Sequence, residues 1–275
     1  MPQIAGASLE DRLSLWLFVM NWTHAGVVGF GHFWSLAVEE QFYLCWPFLT
    51  FWLPARRFLW ACAGIALGSL LLRSAMSALG VDAWTLYTNT LCRMDALALG
   101  AGGACILRLP DLRDGLRRRL APVSVLALML LFAGFAATRG YDIDSPVTET
   151  IGYSVLAVCC AVFVTGVALV DPLERTWITA LLRWRVLRAC GRYSYGMYMF
   201  HQLIHKLLGT PFMRLVFGRR PGAVAVFAYS AVIGLVSFAL AFASYHLLEK
   251  RFLGLKRHFR PRWAAGVPQP PPIGA

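Results

Sequence analysis

The chain has 275 residues, 58% of them hydrophobic and 15% charged, with a formal net charge of +12. A mean hydropathy of +0.59 and apolar blocks as long as a bilayer-spanning helix, about 20 residues, exclude an ordinary soluble globule. Since backbone groups in hydrocarbon must be satisfied within their own segment, this composition predicts an all-α, polytopic membrane helix bundle.

In chain order, residues 13–30 (LSLWLFVMNWTHAGVVGF) are apolar but interrupted by Asn21, Thr23 and His24, which predicts an interfacial segment or one packed against the bundle. Glu10, Asp11 and Arg12 stand before it in place of a cationic leader start, so no cleaved signal peptide is expected. Seven spans follow, at residues 36–53, 58–79, 94–108, 120–137, 150–170, 193–209 and 223–247. The third contains Gly100, Gly102 and Gly103, a pattern of close helix packing. Residues 261–275 (PRWAAGVPQPPPIGA) read as a disordered Pro-rich tail, which leaves 1–260 as one membrane domain.

Basic residues orient the bundle. Segments on one side hold 18 of the 26 Lys and Arg and those on the other hold six, so the richer side, with the C-terminal tail, is expected in the cytoplasm of a bacterial inner-membrane protein. Topology and contact with anionic membrane lipid account for the positive charge, and no nucleic-acid partner is expected. Seven cysteines without a CxxC pair read as small packing residues. His201 and His205 have metal-ligand spacing but no HExxH or third ligand beside them, so no metal is expected.

Ionisable groups at membrane depth are costly enough to be candidates for function: Glu39, Glu40, Arg73, Arg93, Asp95, His201, His205, Lys206, His246 and Glu249. In HFWSLAVEEQFYLCWP (32–47), Glu39 shares a helix face with Phe42, Tyr43 and Trp46, while Glu40 points about 100° away. Ser35 is placed to cap this helix, and both glutamates gain from its dipole, which is the purely structural account of them. Arg93 and Asp95 suit an internal ion pair; a snorkelling Arg93 is the competing account. Ser194, Tyr198 and His201 lie on one face, as a polar lining or as helix-packing hydrogen bonds.

FWSLAVEEQFYLCWP (33–47) resembles the signature of the acyltransferase 3 family of integral-membrane O-acyltransferases. YTNTLCRMDALALG (87–100) resembles the family's Arg-x-Asp helix start, GRYSYGMYMFHQLI (191–204) its Ser-Tyr-x-x-Tyr-x-x-His helix, and SYHLLEKRFL (244–253) its closing Glu motif. The resemblance implies transfer of an acyl group, such as acetyl, from acyl-CoA as co-substrate to a hydroxyl of a cell-surface carbohydrate or related acceptor. It implies no further cofactor. Carried onto this sequence, it places Glu39 as an orienting residue, Arg93, Asp95 and His201 at the chemistry, and Trp34, Ser35, Tyr43, Tyr198 and Glu249 at the substrate.

Members also begin with helices that carry an Arg and, about three turns later, a His thought to act as base; the chain resembles the C-terminal two-thirds of a member. The Pro that often follows the last Glu is replaced by Lys250 and Arg251. Two other readings stand beside this one. The chain is a truncated, inactive or split member that needs a partner to supply the Arg and His helices, or it is a glycan or lipid transporter whose polar residues line a path.

Overall fold

The computed structural model describes residues 8–23, 30–143, 145–170, 177–209 and 222–255, and among them the structure is helical with no strand. The chain divides into two compact units, Met1–Arg175 and Thr176–Ala275. His24 and the tail at 261–275 lie outside the described residues.

In the first unit, α1 (Leu9–Trp16) and α2 (Met20–Thr23) precede α3 (Trp34–Trp52), α4 (Ala55–Ala78), α5 (Ala83–Thr88), α6 (Thr90–Arg108), α7 (Pro110–Arg118), α8 (Leu120–Ala137) and α9 (Tyr153–Leu169). The acidic start of the chain has a local cause: Ser8 and Asp11 form a capping box at the N-terminus of α1. Asp82 and Asn89 cap α5 and α6, accepting the amides of Thr85 and Leu91 at 2.9 Å each. The Asn89 cap breaks one long apolar run into two helices and begins the second at Thr90, ahead of the expected 94–108.

Helices α4, α6 and α9 form the centre of this unit, with α6 packed between the other two. Small residues permit the approach. A Cβ on Gly102 would sit 3.6 Å from Cys62 Cβ, and one on Gly103 would sit 2.3 Å from Thr165 Oγ1, whereas Gly100 faces open space. Cys62, Ala98 and Cys105 bury themselves with Trp46 and Phe58, so these thiols serve as apolar packing groups.

The second unit contains α10 (Trp177–Leu182), α11 (Arg185–Ile204), α12 (Ala223–Ser244) and α13 (Lys250–Leu255). Tyr193 on α11 nests edge-on against Phe238, Phe242 and Tyr245, at centroid separations of 5.4, 5.4 and 5.3 Å. The helices touch at Gly196, where a Cβ would lie 2.8 Å from Ala241 Cβ and 3.1 Å from its Cα. Gly196→Val should therefore lower stability by about 1–3 kcal/mol through overpacking. Gly191→Ala, with nothing within 4 Å, should leave the melting temperature in detergent unchanged or raised; equal melting of the two variants would contradict the contact.

Among the described residues five helices are long and apolar enough to cross a membrane: Ala55–Ala78, Ala83–Arg108, Leu120–Ala137, Thr148–Leu169 and Val224–Leu255. The expected spans at 36–53 and 193–209 correspond to α3 and α11, which form as helices but fall outside that set. Their polar load explains it: α3 carries Glu39, Glu40 and Gln41, and α11 carries three arginines and a histidine. What these two helices carry in polar side chains they lose in hydropathy.

Candidate functional site

Arg73, near the C-terminal end of α4, is the hub of a buried polar cluster. Its side chain is 0% exposed and that of Asp95 1% exposed. Nη2 meets Asp95 Oδ2 at 3.0 Å and Ser154 Oγ at 2.6 Å, Nε donates to the Thr150 carbonyl at 3.1 Å, and Nη1 donates to the Cys92 carbonyl. Ser154 Oγ in turn donates to Asp95 Oδ2 at 2.7 Å, and the Ala96 amide donates to Oδ1 at 2.9 Å. A buried ion pair repays its desolvation only when its other donors and lone pairs are satisfied, and here they are, by groups from α4, α6, α9 and the turn between α8 and α9. That turn, Thr148–Gly152, is a π turn; its widened geometry presents the Thr150 carbonyl to Arg73.

Asp95 thus pairs with Arg73, which corrects the expected pairing with Arg93. Helix geometry gives the reason. Residues two apart do not face each other, so Asp95 turns inward to α4 while Arg93 turns elsewhere. The Arg93 guanidinium carbon lies 4.5 Å from the Tyr153 ring centroid and 5.4 Å from that of Tyr87. Tyr87 lies 5.6 Å from Tyr153 and 4.7 Å from Trp34. Arg73 approaches the Tyr153 ring at 5.6 Å, so Tyr153 stands between two guanidinium groups. Cation–π contact fixes Arg93 without consuming its N–H donors. Among the described residues none of these donors has a hydrogen-bond acceptor.

The Glu-Glu-Gln run of α3 is anchored by its glutamine. Gln41 Nε2 donates to the Phe18 carbonyl at 2.7 Å and to Asn21 Oδ1 at 3.0 Å, and its Oε1 accepts from Thr90 Oγ1 and from Trp22 Nε1. Asn21, itself buried, donates to Thr90 Oγ1 at 2.7 Å and to the Thr88 carbonyl at 3.3 Å. This network ties residues 18–22 and α3 to the start of α6, the segment that carries Arg93 and Asp95. Of the segment 13–30, expected to be interfacial or packed against the bundle, the described residues Phe18, Asn21 and Trp22 make these contacts, and residues 24–29 lie outside the described residues.

Glu39 is half-buried and Glu40 exposed. Phe42 stacks on Trp46 at 4.2 Å, while Tyr43 is exposed, so the face shared by Glu39, Phe42, Tyr43 and Trp46 is buried only along one edge. Tyr43 joins Glu40, Gln41, Leu17, Phe18 and Leu44 around a small cleft of about 380 Å³. Ser35 is not the N-cap. The helix starts at Trp34 out of a 3₁₀ turn, and Ser35 Oγ reaches back to the His32 carbonyl at 3.4 Å.

In the second unit, Tyr198 and His201 stack obliquely, centroids 5.6 Å apart, and His201 Nδ1 lies 2.6 Å from the Tyr198 carbonyl. A carbonyl only accepts, so Nδ1 donates in this bond. Ser194 bonds to the Gly191 carbonyl at 3.0 Å. His205 and His246 sit in π turns and meet tyrosine hydroxyls, Tyr229 at 2.6 Å and Tyr193 at 3.3 Å. Glu249 closes the second of these turns and accepts from Ser244 Oγ at 3.4 Å. Among the described residues no three His, Cys, Asp or Glu side chains are grouped to hold a metal ion.

Four residues given no role by the sequence complete the site: Ser154 and Tyr153, which lie in no quoted motif, and Tyr87 and Gln41, which lie inside two of them. Arg73 was visible as a charge inside an apolar run, but its partner could not be read, because Asp95 lies 22 positions away on another helix.

A sequence profile described as an acyltransferase domain matches residues 3–246. The chain is 29% identical over 227 residues to the putative peptidoglycan O-acetyltransferase YrhL of Bacillus subtilis, covering 79% of this chain and 33% of that protein. It is 24% identical over 255 residues to the peptidoglycan O-acetyltransferase OatA of Listeria monocytogenes, covering 86% and 40%. It is also 24% identical over 268 residues to the O-acetyltransferase OatA of Staphylococcus aureus, covering 90% and 42%. The chain therefore spans about a third to two-fifths of the length of these relatives. No solved structure matches it.

Proposed function

We propose, since the chain belongs to the acyltransferase 3 family, that it serves membrane O-acylation in a bacterial cell membrane. In this reading an acyl group, acetyl in the simplest case, passes from acyl-CoA to a hydroxyl of a cell-surface carbohydrate. The names of the relatives favour peptidoglycan as that carbohydrate. The observation that carries the proposal is Arg93, a guanidinium held by two tyrosine rings, its donors without an acceptor among the described residues, beside a buried ion pair.

The chemistry asks for such a group. The acceptor oxygen attacks the thioester carbonyl carbon, its proton passes to a base, the C–S bond breaks, and the sulfur leaves as the CoA thiol after taking a proton. Negative charge builds on the carbonyl oxygen, and preorganised donors that need not move stabilise it most. Arg93 supplies those donors. Asp95, through Arg73 and Ser154, fixes the helix that carries Arg93; it is a positioning residue. In the second unit, taken by itself, the family resemblance proposes His201 for the chemistry. In the first unit Glu39 orients the base or the acceptor hydroxyl, with Trp34, Ser35 and Tyr43 proposed for substrate contact; in the second, the resemblance proposes Tyr198 and Glu249 for the same role.

Deleting the coding region from the source bacterium should abolish base-labile acyl esters on its surface glycans, measured as acid released by mild alkali. Unchanged ester content would overturn the proposal. Glu39→Gln at the chromosomal copy should lower those esters about 10²-fold with the protein's membrane abundance unaltered; wild-type esters would remove Glu39 from the reaction.

A further inference from the structure

Away from the Arg73 cluster, at the other end of α4 and α6, lies a cleft of about 830 Å³ bounded by α4, α6, α7 and α8. Its depth is apolar. Leu59, Ala63, Leu99, Ile106 and Val123 line it, and from Ile106 to Ala98 it follows α6 for about 12 Å at helical rise. That approaches the hydrocarbon depth of one leaflet, about 15 Å.

The mouth is basic. This end of the unit gathers Arg56, Arg57, Arg108, Arg113, Arg117, Arg118 and Arg119, against Asp111 and Asp114. Arg56, Arg118 and Arg119 border the cleft itself. Arg56 is bound to Asp111 at 2.6 Å, and Arg113 to Asp114 at 3.1 Å, so the carboxylates are taken by arginines other than Arg118 and Arg119. Helix α7 and its C-cap Arg119 form the wall: Asp111, Leu112, Gly115, Leu116 and Arg118 line the cleft with Arg119, positions that fall on one side of a helix. With no buried residue of its own, it has the character of a helix lying in the headgroup plane.

The geometry points to a binding site for an anionic phospholipid, its phosphate on Arg118 and Arg119 and one acyl chain laid into the cleft along α6. Basic pockets between membrane helices take such headgroups. The stretch lined by Leu59, Ala63, Leu99 and Ile106 suits an acyl chain better than the amides of a CoA arm, which burial against aliphatic side chains would penalise. This inference is independent of the acyl-transfer reading.

The full chain, purified and reconstituted in nanodiscs of equal phosphatidylglycerol and phosphatidylcholine, should retain phosphatidylglycerol about tenfold over its neutral counterpart in native mass spectra. Arg118→Gln with Arg119→Gln should abolish that preference. Arg57→Gln with Arg113→Gln, which removes the same charge from positions outside the cleft, should preserve it. Ala63→Phe, which fills the cleft without touching charge, should reduce retention. Equal loss in both charge variants would assign the effect to diffuse surface potential, and stoichiometric displacement of the lipid by palmitoyl-CoA would assign the cleft to the thioester; either outcome overturns the proposal.

Discussion

Arg73→Met is expected to destabilise the fold by about 3–5 kcal/mol, because it strands a buried carboxylate in apolar surroundings. In the native protein Arg73 makes four hydrogen bonds, to groups carried by three other segments. Without it, Asp95 keeps Ser154 and the Ala96 amide but loses its counter-charge, and the Cys92 and Thr150 carbonyls lose a donor. Asp95→Leu alone should cost a similar amount by stranding the guanidinium. The double variant Arg73→Met, Asp95→Leu should recover most of the loss, since removing both partners of a buried pair is far cheaper than removing one. Thermal denaturation in detergent of the two single variants and the double measures the coupling directly. Simple addition of the two single losses would show that Arg73 and Asp95 act separately. Acylation, by contrast, should remain depressed in the double variant, because methionine and leucine rebuild packing but not the registry of α6 against α9 on which Tyr153 and Arg93 depend.

The helices were legible because hydropathy and length are local properties. The apolar blocks at 58–79, 120–137 and 150–170 reappear, to within one residue at their C-terminal ends, in Ala55–Ala78, Leu120–Ala137 and Thr148–Leu169. The glycines of α6 likewise announced close packing, and two of the three deliver it, at Cys62 and Thr165. The site was harder to read, for reasons that can be named. An ion pair between helices depends on which way each residue faces: the i, i+2 spacing of Arg93 and Asp95 turns them apart, but nothing local names Arg73, 22 positions from Asp95, as the partner. Tyr153 and Ser154 follow a π turn, and that irregularity breaks the 3.6-residue periodicity from which faces are inferred. Gln41 drew little notice beside two glutamates because its value lies in donating and accepting at once, to Asn21 and from Thr90, a virtue that charge-based reading overlooks.

The largest effect on chemistry should come from Arg93. Arg93→Ala is expected to lower acyl transfer about 10²–10³-fold, the usual consequence of losing one preorganised donor to a developing oxyanion. Stability should move far less, because the residue contributes cation–π contact with Tyr87 and Tyr153, worth about 0.5–2 kcal/mol, and closes no ion pair among the described residues. Arg93→Lys separates the two things the guanidinium offers. Lysine keeps the charge and rests on the same tyrosine faces, but it replaces a planar fork of donors with a compact ammonium. If donor geometry is what matters, the lysine variant stays at least about tenfold below wild type, with equal membrane abundance and melting temperature. If a point charge suffices, lysine restores transfer while alanine does not. Wild-type transfer by the alanine variant would remove Arg93 from the reaction and leave the aromatic cluster as a packing device between α5, α6 and α9.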